Sequence, residues 1–157
     1  MDSISRTGVD LLVSDRRNRR LVSIQVKFSK DFLPSMTDRG LRLQQQLRAC
    51  GWWTIDRRKL VASPADFWVF VLLGFARGTT DFVIIPTTEL ARRLRTIHGP
   101  PKRIQSYIWV TEHGKCWETR GLHRSDEVKI GDGDFRDPRR EFTRWLNNWS
   151  PIAKLNR

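Results

Sequence analysis

The sequence is poor in cysteine: Cys50 and Cys116 are the two present, so no disulfide framework is available and a reducing, cytoplasmic compartment is expected. It also lacks a long apolar run. The longest, over residues 67–76, is about half the roughly 20 residues a membrane-spanning helix needs, and the N-terminal stretch carries acids and arginines where a signal peptide is apolar. No membrane partner is therefore expected. There is no glycine-rich phosphate loop, and no serine lies in a nucleophile-elbow context. Acids are scarce as well, with 17 Asp and Glu against 29 Lys and Arg, a net charge of +12.

What remains is a basic chain with enough apolar material to fold. Apolar residues make up 39% of the 157, including seven tryptophans, which suits one packed domain spanning residues 1–157. No internal repeat, low-complexity tract or linker divides it. A strong cationic excess on a folded domain points to polyanions, with nucleic acid ahead of an acidic protein or a membrane surface.

Residues 8–14 alternate, with Val9, Leu11 and Val13 on one face and Asp10, Leu12 and Ser14 on the other. Residues 21–28 alternate likewise, placing Val22, Ile24, Val26 and Phe28 opposite Leu21, Ser23, Gln25 and Lys27. The charged segment between them contains Asn18, which tolerates the positive φ of a tight turn, so the two runs predict an antiparallel hairpin. A turn centred on Arg17 and Asn18 sets Asp10 opposite Gln25, with facing Cβ atoms about 4.5–5.5 Å apart and Lys27 on the same face about 7 Å along the strand.

An irregular connection containing Pro34 follows, then a predicted helix over 38–49 in which Leu43, Leu47 and Cys50 share a face and Gly51 ends the run. Residues 56–62 predict a short helix, 67–75 and 81–85 buried strands, and 88–98 a helix capped by Thr87 and stopped by Gly99-Pro100-Pro101. Residues 104–111 and 115–119 predict a second hairpin around His113-Gly114. Asp137 and Pro138 open a last helix carrying Phe142, Trp145, Leu146 and Trp149 on one face, ended by Pro151. The fold class expected is α/β, a mixed β-sheet flanked by helices.

A carboxylate, an amide oxygen and an ammonium converging on one patch suit phosphodiester hydrolysis. The Asp10 carboxylate, the Gln25 amide oxygen and the Val26 carbonyl are the oxygen donors expected to hold Mg²⁺ or Mn²⁺, and Lys27 is positioned to orient a water or neutralise transition-state charge. Gln25 supplies no charge, so metal binding is expected to be weak and aided by DNA. Three basic clusters are candidate phosphate contacts: Arg16, Arg17, Arg19 and Arg20 at the hairpin tip; Arg57, Arg58 and Lys59; and Arg92, Arg93 and Arg95 on a polar helix face. Trp52 and Trp53 are read as core in preference to base-stacking residues. Glu112, Glu118 and Asp81 are further acids able to approach a metal, whereas His113 and Cys116 lack the second pair a zinc site needs.

Gly8-Val9-Asp10-Leu11-Leu12-Val13, a charged turn, and Val22-Ser23-Ile24-Gln25-Val26-Lys27 together resemble the PD-(D/E)XK nuclease superfamily, in its D…QXK variant. The resemblance implies a restriction endonuclease-like fold with an αβββαβ core. Asp10 falls on the superfamily's metal-binding aspartate, Gln25 on the acidic position of the triplet and Lys27 on its lysine; a glutamine there occurs in active members. It implies a metal-dependent endonuclease acting on DNA, in restriction or another defence. The alternative is a catalytically degenerate nuclease fold kept as a DNA-binding or protein-interaction module. Nine residues precede Asp10, with Asp2 the one acid among them, where members carry a helix and strand. The expectation is that this helix is missing, through a start assigned too late, a lost part of the site, or a homodimer that covers the exposed core.

Overall fold

Alternating apolar residues on either side of the Asn18 turn build the hairpin from which the rest of the fold grows. In the computed structural model, which describes residues 8–33 and 38–156, β1 (Leu11–Ser14) pairs antiparallel with β2 (Leu21–Ser29), Leu11 opposite Ile24 and Ser14 opposite Leu21, the register the turn predicts. Asn18 takes a φ of 54°, and the Asp15 carboxylate closes the turn by accepting from the Arg19 N–H at 2.7 Å. Asp2 and Pro34 lie outside the described residues.

The chain is mixed α/β with two sheets. The first is four-stranded and mixed, in the order β1-β2-β4-β5: β4 (Phe67–Gly74) runs parallel to β2, and β5 (Thr79–Pro86) antiparallel to β4. The second is antiparallel, in the order β3-β6-β7, from Leu47–Asp56, Arg103–Thr111 and Cys116–Glu118. Trp68, Phe70 and Val83 of the first sheet and Trp53, Ile55 and Ile108 of the second share the main core. Helix α2 (Arg57–Val61) adds Leu60 to this core, and α3 (Thr87–His98) adds Leu90 and Leu94. Helices α1 (Asp38–Gln46) and α4 (Arg124–Asp132) pack Leu43 and Ile130 on the other side of the second sheet. The far face of the first sheet, built on Ile24, Val69 and Ile84, receives Ile152 from the short α5 (Ser150–Ala153).

Several predicted elements need correction. The helix over 38–49 stops at Gln46 and the chain passes directly into β3. A register shift between Leu47 and Ala49 puts Leu47 and Cys50, three residues apart, into one cluster with Leu43, which imitates a helical period. Gly51 ends no helix; it lies within β3 under the Trp53 ring, where a Cβ would come within 2.2 Å of the indole. The last helix is absent. Residues 137–149 instead form turns, a 3-10 segment at Thr143–Trp145 and a bridge from Leu146 to Val83, with Asn147 at φ 52°. The Asn147 N–H donates to the Phe82 carbonyl at 2.6 Å while its side chain accepts from the Phe82 N–H at 2.8 Å, so this segment extends the edge of β5. Trp149, expected in the core, is 41% exposed against Phe82.

Candidate active site

The β1–β2 pairing brings Asp10 and Gln25 into contact. Asp10 precedes β1 and is held by its N–H donating to the Ile24 carbonyl at 2.8 Å. Its Oδ2 accepts from the Gln25 Nε2 and, at 2.7 Å, from the Val26 N–H. Gln25 is buried and Asp10 exposed, so the carboxylate faces outward from a fixed backing. Lys27, two residues along β2, projects from the Gln25 face and sits over the Trp68 ring at 5.2 Å from its centroid. Trp68 is the β4 residue paired with Gln25, so the parallel strand supplies the platform that orients the ammonium. Among the described residues Lys27 takes part in no ion pair, which leaves its charge available to a ligand.

The donor set suits a hard cation held loosely. As oriented, Gln25 presents its amide nitrogen to Asp10; a half-turn about the terminal torsion exchanges N for O and sets an amide oxygen beside the carboxylate. That gives one charged and one neutral oxygen donor, which fits Mg²⁺ or Mn²⁺ retaining most of its waters; the Val26 group in contact with Asp10 is its N–H, which bonds the carboxylate and is no metal ligand. Among the described residues no three His, Cys, Asp or Glu side chains gather into a metal-binding group.

The other acids named from sequence are engaged elsewhere. Asp81 is buried and bidentate with Arg48, at 2.7 and 2.8 Å, with Asn147 as a third donor. Glu118 is fully buried between His98 at 3.0 Å and Arg140 at 2.8 Å. Glu112 pairs with Arg77 at 3.1 Å. Asp81 and Glu118 are thus buried in ion pairs, while the Glu112 pair lies at the surface. Cys116 is fully buried, and desolvation pushes its thiol well above the usual range.

Asp66 is an acid near this face that the sequence pattern does not mark. Its Oδ2 accepts from the Ser23 N–H at 2.8 Å and the Ser23 hydroxyl at 2.9 Å, on the strand position two before Gln25 and on the same face. Only the parallel pairing of β2 with β4 reveals it. An open groove of about 610 Å³, lined by Pro64, Asp66, Thr87 and Thr88 among others, continues from this point, and Pro64 also accepts from the Ser23 hydroxyl at 3.2 Å.

The basic clusters divide. Arg16, Arg17, Arg19 and Arg20 are exposed at the hairpin tip, with Arg19 3.8 Å from Asp15. Arg58 and Lys59 on α2 and Arg95 on α3 are exposed, while Arg57 is half-buried. Arg92 is bidentate with Glu89 at 2.7 and 2.8 Å. Arg93 is an internal clamp: it bonds Glu89 and the carbonyls of Pro138, Arg139 and Glu141, and lies 4.5 Å from the Trp145 centroid. It is unavailable as a phosphate contact. Trp53 is buried as expected, whereas Trp52 is 37% exposed.

No protein-family model, curated protein or solved structure matches the chain. Among the described residues no helix is long and apolar enough to cross a membrane.

Proposed function

We propose that the protein is a cytoplasmic, metal-dependent endonuclease of restriction endonuclease-like fold that hydrolyses DNA phosphodiester bonds. The observation that carries this reading is the contact of Asp10 with Gln25 on one sheet face, with Lys27 projecting from that face two residues on. Asp10 and Gln25 would hold Mg²⁺ or Mn²⁺, which when bound neutralises charge on the scissile phosphate. Lys27, steadied over Trp68, places a positive charge where the pentavalent transition state gains negative charge. The exposed arginines of the hairpin tip, with Arg58, Lys59 and Arg95, bind the phosphate backbone and set its register on the protein. Hydrolysis forms a bond from a water oxygen to phosphorus and breaks one P–O ester bond. Cation-dependent nicking of DNA, lost in Lys27→Ala, is the test.

The reading includes a homodimer. Leu11 and Phe28, on the same side of the first sheet as Ile24, are 53% and 60% exposed, and a second copy would cover them.

A second reading, a catalytically degenerate nuclease fold that binds DNA, is favoured by one observation: Asp10 is the single carboxylate at the Gln25 contact, and two N–H donors already satisfy it. Binding that weakens with salt and ignores chelator separates the two.

A further inference from the structure

The half of the second sheet that α1 and α4 leave open carries an aromatic and cationic surface outside the nuclease-like site. Trp52 of β3 is opposite Tyr107 of β6, their rings stacked with centroids 5.6 Å apart at 27°. The indole is fixed at its edge, where Nε1 donates to the Gln105 Oε1 at 2.7 Å, and Tyr107 is fixed by its hydroxyl bonding the Phe32 carbonyl. Phe32 packs edge-on against the indole at 6.1 Å and is 41% exposed. Above the indole stands the Arg120 guanidinium, 5.0 Å from the ring centroid. Arg103 begins β6 and shares the Gln105 and Tyr107 face by alternation. Both arginines are exposed and, among the described residues, neither guanidinium enters an ion pair.

A partly exposed indole with its polar edge satisfied, flanked by guanidinium groups that enter no ion pair among the described residues, matches what an unpaired nucleic-acid strand requires. Bases stack on the ring and phosphates find the cations. A protein partner of acidic character would use the arginines but gives the exposed indole beneath Arg120 no role. The surface also adjoins the nuclease-like strand: the Trp52 N–H donates to the Ser29 hydroxyl at 3.0 Å, two residues beyond Lys27 on β2.

We infer that this face binds single-stranded DNA, one base stacking on Trp52 where Arg120 now lies and the Arg120 guanidinium moving to a neighbouring phosphate. The choice of DNA over RNA rests on the nuclease reading; the stacking surface itself does not. The test is fluorescence anisotropy of a labelled oligo(dT) with the full chain in EDTA, so that cleavage plays no part. Trp52→Leu is expected to weaken binding about tenfold, and Trp52→Phe to retain most of it. Arg120→Glu, a change at an exposed side chain, is expected to weaken it to a similar extent. Wild-type affinity in both Trp52→Leu and Arg120→Glu overturns the inference, as does an equal loss on duplex DNA or tighter binding of oligo(U) than of oligo(dT). A parent protein that cleaves nothing in either Mg²⁺ or Mn²⁺ overturns the nuclease reading and leaves this result standing.

Discussion

Gln25 and Asp10 touch across the first hairpin, the amide nitrogen of one donating to the carboxylate of the other. This contact sets both the strength and the limit of the candidate metal site, because it is made by one charged group where two would bind a cation tightly. Gln25→Glu brings a second carboxylate to the same point. In EDTA the two like charges repel, and the variant is expected to be about 1–2 kcal/mol less stable than the parent, a drop of about 2–4 °C in melting temperature per kcal/mol. Millimolar Mg²⁺ should restore that loss and stabilise the variant more than it does the parent. Thermal melts with and without Mg²⁺ check it; melting temperatures indifferent to the cation would show that no metal binds there.

The arginines separate by what already holds them. Arg16, Arg17 and Arg20 are exposed and, among the described residues, unpaired, whereas Arg93 is enclosed by three carbonyls, Glu89 and Trp145. Each hairpin-tip arginine that contacts a phosphate should reduce the slope of log affinity against log salt by about 0.9 when changed to alanine. Arg93→Ala should leave that slope unchanged and cost about 1–2 kcal/mol of stability, since the Pro138, Arg139 and Glu141 carbonyls lose a charged donor. DNA titrations at several salt concentrations, beside denaturant melts, distinguish the two classes.

The same clamp gives a pH dependence. Hydrogen bonds from Arg92, then from Arg93, hold the Glu89 carboxyl down to about 2, below its ordinary 4.5, despite some opposing desolvation. A depressed native pKa means that the stabilisation is fully present above the unfolded value and is lost as pH falls from about 4.5 toward 2. The parent should therefore lose stability through that window, and Glu89→Gln should be less stable at neutral pH but lose less on acidification. Stability curves at pH 7 and pH 3 read the difference; parallel curves would refute it.

A homodimer that covers Leu11 and Phe28 predicts a concentration-dependent mass by sedimentation equilibrium. Phe28 is 60% exposed, so Phe28→Glu should leave the fold intact and shift the protein to monomer. A parent that is monomeric throughout the micromolar range would remove the dimer.

What was legible in the sequence was local. The hairpin register followed from a two-residue period and one asparagine able to take positive φ, and the Asp10–Gln25 contact follows from that register. The bulge after Leu47 defeated periodicity, since it gave a strand the spacing of a helix. Helix α4 escaped because Arg124–Asp132 is mostly polar and buries little beyond Ile130, so no apolar stripe marks it. The segment after Asp137 has a helical pattern of large residues, yet Asn147 and the edge of β5 compete for its backbone and win. Long-range pairing hid the rest. Asp66 reaches Ser23 only because β4 lies parallel to β2, and Trp52 becomes a surface residue only because β3 pairs with β6 beyond the cover of α1.

If Asp10, Gln25 and Lys27 form a working phosphodiesterase site, the protein cuts DNA in a divalent cation. The most direct test is conversion of supercoiled plasmid to nicked and linear forms by purified protein in Mg²⁺, in Mn²⁺ and in EDTA, for the parent and Lys27→Ala. The parent is expected to cleave in either cation and not in EDTA, and Lys27→Ala to lose about a hundredfold or more of that activity with DNA binding retained. Plasmid left intact by the parent with both metals, or cut equally well by Lys27→Ala, would contradict it.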